Sequence, residues 1–154
     1  MEKLTIKELA PYLPYELQWV FEGSDDVHEV VGLDITDFGV HIISPYGDSG
    51  RCSIKEGKPL LRPLSQLIEE IHHNGEKFVP MVELEKIRKD IEIYRPLNLH
   101  YPLEINIQTE DYSQEIDLHD GYLIMQKLLE WHFDVFRLHE KNLALPIDGK
   151  EVKS

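Results

Sequence analysis

Residues 47–50, Gly47-Asp48-Ser49-Gly50, spell the core of the chymotrypsin-like serine protease motif, in which an activated serine attacks a carbonyl carbon. That chemistry needs a His to take the serine proton and an Asp to orient the imidazole, both upstream on a two-barrel fold. Only 46 residues precede the motif, and Pro45-Tyr46-Gly47-Asp48-Ser49 is better hairpin-turn material than catalytic machinery. Asp37-Phe38-Gly39 matches the magnesium-holding tripeptide of protein kinases. No glycine-rich loop, strand lysine or His-Arg-Asp motif accompanies it, so it reads as a turn entering a strand. The eight histidines raise metal chemistry. The nearest clusters are Asp117-x-His119-Asp120, the pair His72-His73, and His132 with His139. None has His-x₃-His, His-Glu-x-x-His or Cys-x₂-Cys spacing, and Asp25-Asp26 and Asp34-x-x-Asp37 do not fit a calcium loop. The nine glycines stand singly, with neither phosphate-loop nor dinucleotide spacing. The expectation is therefore no catalytic residue, no metal and no cofactor that the sequence can name.

Charge says more than any motif. Residues 8–50 hold nine carboxylates (Glu8, Glu16, Glu22, Asp25, Asp26, Glu29, Asp34, Asp37 and Asp48) and no Lys or Arg. Residues 96–126 hold six more, again with no basic side chain, and the whole chain carries a formal charge of −13. Such a field repels phosphate backbones and anionic membrane surfaces. It leaves basic protein surfaces, cations or neutral ligands as partners, and a protein partner with a basic surface is the expected one. The expected interaction surface combines Asp25, Asp26, Asp34, Asp37 and Asp48 with Tyr12 and Tyr46 as aromatic anchors.

These residues need a scaffold, and the hydrophobic pattern describes one. Thr5 and Glu8 have capping-box spacing, so a short helix is expected over 5–10, stopped by Pro11. Leu17, Trp19 and Phe21 alternate as a strand, followed by apolar strand-like runs at 27–34, 38–44, 51–55 and 60–62 with turns between them. Closely spaced strands of this kind predict an antiparallel sheet of four or five strands, curled towards a small SH3-like barrel. Helical spacing then predicts helices over 64–73, ended by Asn74-Gly75, and over 82–93. Residues 94–102 read as a loop, 103–109 as a strand, and 119–141 as a long core helix with a wide apolar arc. The segment 143–147 is apolar enough to dock.

The fold class is thus α+β. At 154 residues the chain reads as a single domain, 1–154, with a β-rich lobe over about 12–62 and a helical lobe over about 63–148. The lone Cys52 excludes an intramolecular disulfide and suits a cytoplasmic location. The N-terminus has no signal-like apolar run, and no stretch is long enough to span a membrane.

Three stretches, 8–17 (ELAPYLPYEL), 61–80 (LRPLSQLIEEIHHNGEKFVP) and 126–145 (QKLLEWHFDVFRLHEKNLAL), resemble small uncharacterised proteins encoded in phage, prophage and mobile-element regions of gut anaerobes. The resemblance covers about a third of the chain and is most specific at 129–136 (LEWHFDVF). It implies an accessory or host-interaction role and transfers no catalytic residue. The expected function is a non-enzymatic interaction protein that binds a basic partner surface, in its sharpest form as a mimic of nucleic acid. Two rivals are a metal-assisted hydrolase, built where at least two of His28, His100, Asp117 and His119 converge, and a phage structural or assembly component that self-associates.

Overall fold

The Thr5–Glu8 spacing does what capping chemistry requires. The Thr5 backbone N–H donates to Glu8 Oε2 at 2.8 Å, opening helix α1 (Ile6–Leu9). In the computed structural model, which describes residues 2–87, 91–94, 104–107 and 118–147, a 3₁₀ turn (Ala10–Tyr15) follows and ends at Glu16 with φ 57°.

Five strands come next: β1 (Gln18–Phe21), β2 (Val27–Asp34), β3 (Gly39–Ile43), β4 (Ser49–Ser53) and β5 (Gly57–Leu61). The period-two pattern of the sequence is realised, with Leu17 and Trp19 fully buried. A β-bulge between Val30 and Gly32 re-phases β2 against β3. The bulge lets Val30 face Ile42 and Leu33 face Val40 on the buried side. The apolar segment at 143–147 contributes strand β10 (Leu145–Pro146), which pairs parallel with β5. The sheet order is β10-β5-β1-β2-β3-β4, antiparallel except at β10. The α+β class holds. The sheet is open, with β4 and β10 as its edges, so the expected curl towards a barrel is not seen.

The chain forms two compact units. One comprises residues 1–63 and 129–148 and contains the six-stranded sheet; the other comprises chiefly 64–128. In the second unit the expected helix over 64–73 shortens to a 3₁₀ turn (Leu64–Ile68). It gives way to a hairpin of β6 (Ile71–His73) and β7 (Glu76–Phe78). Asn74-Gly75 is the cause: both residues take positive φ, 50° and 80°, as a two-residue type I′ turn demands. The second helix, α2 (Pro80–Ile87), is shorter than expected, and Ile91–Tyr94 forms strand β8 against β9 (Glu104–Ile107) instead of continuing it. Most of the loop expected over 94–102 lies outside the described residues.

The largest correction concerns the last helix. Helix α3 spans Leu118–Glu130 and stops eleven residues short of the expected Lys141. Within it Ile124 and Leu128 are buried while Tyr122 and Met125 are exposed, so the buried stripe is narrower than the apolar arc of the sequence. Three left-handed residues, His132, Arg137 and Asn142 (φ 60°, 56° and 57°), break the path beyond it.

Interactions within the sheet unit stabilise that break. Arg62 N–H donates to His132 O at 2.7 Å, and Asp134 N–H donates to Arg62 O at 2.9 Å. The Asp134 carboxylate then accepts from the N–H groups of Leu138 and His139, each at 2.8 Å. A side chain that satisfies backbone donors outside a helix competes with the helix itself. Nearby, the Tyr12 hydroxyl donates to Phe133 O at 2.6 Å and accepts from Val135 N–H at 3.2 Å. His132 Nε2 lies 2.5 Å from Tyr15 O. The C-terminal segment is thereby tied to the 3₁₀ turn and the end of β5.

The Tyr12 pair carries a pH signature. Burial pushes its phenol well above the ordinary value of 10.0. Because the folded value is raised, stability from the neutral phenol is complete below the unfolded value and drains as pH climbs above it. Urea unfolding should therefore lose stability above about pH 10, at up to about 1.4 kcal/mol per pH unit from this one group. Tyr12→Phe should be less stable near neutrality and should reduce that alkaline slope.

Candidate interaction surface

Two hairpin turns set one end of the sheet. In the β1–β2 turn, Ser24 N–H donates to Phe21 O at 3.1 Å and Asp26 N–H donates to Ser24 Oγ at 3.1 Å, leaving Asp25 and Asp26 exposed. Gly23 supplies the positive φ of 79°. In the β3–β4 turn, Ser44 Oγ accepts from the N–H groups of Tyr46 and Asp48, both at 3.2 Å. Gly47 N–H donates to Ser44 O at 3.0 Å. Tyr46 is 83% exposed at the tip.

Consecutive antiparallel strands put the first and third turns at the same end of the sheet, two strand spacings or about 10 Å apart. Asp25, Asp26, Tyr46 and Asp48 therefore share one rim. The second turn joins the other ends of β2 and β3. It holds Asp34 and Asp37.

That opposite end is electrostatically different. Arg51, reaching from β4, donates to Asp34 Oδ2 at 3.3 Å and pairs with Asp37. Asp34 Oδ1 also accepts from the Thr36 hydroxyl at 2.6 Å and the Thr36 N–H at 2.9 Å. These donors, the hydroxyl first, hold the Asp34 carboxyl below its usual range, with Arg51 adding to them. The seven candidate residues thus divide. Four share a rim, two are tied to an arginine at the far end, and Tyr12 is fully buried in hydrogen bonds and leaves the surface altogether.

The motif residues take the ordinary roles. Gly47-Asp48-Ser49-Gly50 is the end of a turn and the start of β4, and Asp37-Phe38-Gly39 leads into β3. His72 and His73, neighbours on β6, face opposite ways, one exposed and one buried. His28 sits edge-on to Phe21 at 4.9 Å between ring centroids. Among the described residues no group of three His, Cys, Asp or Glu is placed to hold a metal ion. His100 and Asp117 lie outside the described residues. No helix among the described residues is long and apolar enough to cross a membrane.

Cys52, half-buried on β4, has its thiol pushed up from 9.0 to about 11 by burial, with the Glu56 carboxylate adding to it. That rise leaves about a hundredth of the ordinary thiolate at a given pH. Alkylation by iodoacetamide at mildly alkaline pH should run at least about tenfold slower than with free cysteine, allowing for the greater nucleophilicity of a more basic thiolate. Mass spectrometry of timed samples reads this directly.

Comparison with protein-family models, with curated proteins and with solved structures finds no match to this chain. The surface must be read from its own chemistry. Sequence reasoning missed one feature of it: Ile35 and Phe38, 81% and 56% exposed in the β2–β3 turn. The available signal was a turn of four residues, 35–38, in which two are large and apolar.

Proposed function

We propose that the protein is a non-enzymatic interaction module that docks on a basic surface of a protein partner, as an accessory factor of a phage or other mobile element. The observation that carries this reading is the shared rim. Asp25, Asp26 and Asp48 stand exposed on adjacent turns beside an aromatic residue, Tyr46, that is 83% exposed. Neither turn contains a basic side chain, and Lys55 and Lys58 stand beside the first of them, lining a cavity with Gly23 and Ser24. Charge complementarity of this kind chiefly speeds association and selects partners, while an aromatic anchor supplies affinity. Backbone N–H groups donating to the Ser24 and Ser44 hydroxyl oxygens fix both turns before binding, which lowers the ordering cost. The three stretches resembling phage and mobile-element proteins supply the biological setting.

The test is co-purification of a tagged full-length chain from its native host at low and at high salt. A protein with a basic face should be retained at low salt and released at high salt. With the purified partner, Tyr46→Ser should weaken binding by about 1 to 2 kcal/mol while leaving the thermal midpoint unchanged. Failure to retain any protein above a charge-reversed control, or retention of an acidic partner indifferent to Tyr46→Ser, contradicts the reading.

A further inference from the structure

The β2–β3 turn combines exposure, backbone strain and rigid bracing. Ile35 and Phe38 are 81% and 56% exposed at its tip. Phe38 holds φ at 59°, a left-handed conformation that is an outlier for a bulky side chain. The turn is locked from two sides: Asp34 accepts both the hydroxyl and the N–H of Thr36, and Arg51 bridges Asp34 and Asp37. Gly39 makes room for the bridge, since a Cβ there would lie 2.7 Å from Arg51 Nε. A single exposed apolar residue is ordinary. Two on one braced, strained turn, facing solvent, form a preorganised anchor of the kind that dominates binding energy.

We propose that Ile35 and Phe38 insert together into an apolar cleft with a cationic rim on a protein partner. This rests on the interaction reading above and adds a second contact at the far end of the sheet. Charge selects the occupant. Arg51 bridges the two carboxylates of the tip, and the chain as a whole carries a formal charge of −13. A second copy of the chain would bring the same negative field, and an anionic bilayer would be repelled. A cleft rimmed by Lys or Arg matches it.

The test places a photo-crosslinking residue at position 35, and separately at position 46, in the full-length chain expressed in its native host. Crosslinked species are identified by mass spectrometry, and the partner is purified for dissociation constants. Position 35 should crosslink to a protein with a basic-rimmed apolar cleft. The double substitution Ile35→Ser, Phe38→Asn should then weaken binding at least about 30-fold, mostly through faster dissociation. Asn accepts positive φ, so the turn should keep its shape. Ile35→Ser alone, at a position 81% exposed, serves as a control that cannot disturb folding and should still weaken binding measurably. Crosslinks from position 46 alone, with the double variant binding as the wild type does, overturn the anchor and leave the interaction reading standing. Crosslinks from neither position remove both. Crosslinks from position 35 to lipid or to a second copy of the chain overturn the assigned occupant.

Discussion

Gly57→Ala should destabilise the sheet unit by about 4 kcal/mol or more, among the largest effects a single methyl group produces. Gly57 sits opposite Phe21, where β5 pairs with β1. A Cβ added there would lie 2.5 Å from Val20 O and 2.7 Å from Trp19 Cε2, and would also press on Trp19 Nε1. Neither neighbour can yield cheaply. Val20 O belongs to the backbone, and the Trp19 ring is fully buried in the core. The pairing of Trp19 with Pro59 and Val20 with Lys58 would have to shift as well. Gly50→Ala is the matched control: its nearest neighbour, Ile42 Cγ1, would be 4.0 Å from the new methyl. That substitution should change stability by less than about 0.5 kcal/mol. The probe is well placed, because both tryptophans of the chain, Trp19 and Trp131, are buried residues of the sheet unit. Thermal melts followed by tryptophan fluorescence should show Gly57→Ala lowered by roughly 10 °C and Gly50→Ala unmoved.

Asp134→Ala should cost about 3 to 5 kcal/mol by the same readout. The carboxylate is 4% exposed and satisfies the N–H groups of Leu138 and His139, each at 2.8 Å. Removing it strands two backbone donors, at about 1 to 3 kcal/mol each where they are buried. Leu138 is fully buried, so its N–H has no ready recourse to water. The loss also unpicks the fold locally, because Asp134 N–H pairs with Arg62 O beside the tie from Tyr12 to Phe133. Asp134→Asn keeps one acceptor oxygen and should lose about half as much. An alanine variant as stable as the wild type would show that the C-terminal turns do not depend on this side chain.

That same aspartate explains where sequence and structure part. Helical periodicity through 119–141 is genuine, but it cannot register that Arg62, some seventy positions away, pairs its backbone with His132 and Asp134. Tyr12 is a similar case. Beside an acidic block it reads as a surface anchor, yet its partner Phe133 lies 121 positions along the chain. Asn74-Gly75 suits a helix end and a type I′ hairpin equally well, and the pairing of Ile71 with Phe78 decides between them. What was legible was local. The Thr5–Glu8 capping box and the alternation of Leu17, Trp19 and Phe21 both depend on neighbours in sequence. So do the serine- and glycine-bearing turns at 23–26 and 45–50. The rim of Asp25, Asp26, Tyr46 and Asp48 was legible residue by residue. Its separation from Asp34 and Asp37 was not, because only strand direction sorts turns to opposite ends of a sheet.

The central claim is that the acidic rim docks on a basic protein surface. Its most direct test is the dissociation constant of the purified complex as a function of salt, for the wild type and for Asp25→Asn, Asp26→Asn, Asp48→Asn combined. Wild-type binding should weaken steadily as salt rises, and the triple variant should associate about tenfold more slowly with a flattened salt dependence. An affinity that is constant across salt and untouched by the three substitutions would contradict the claim.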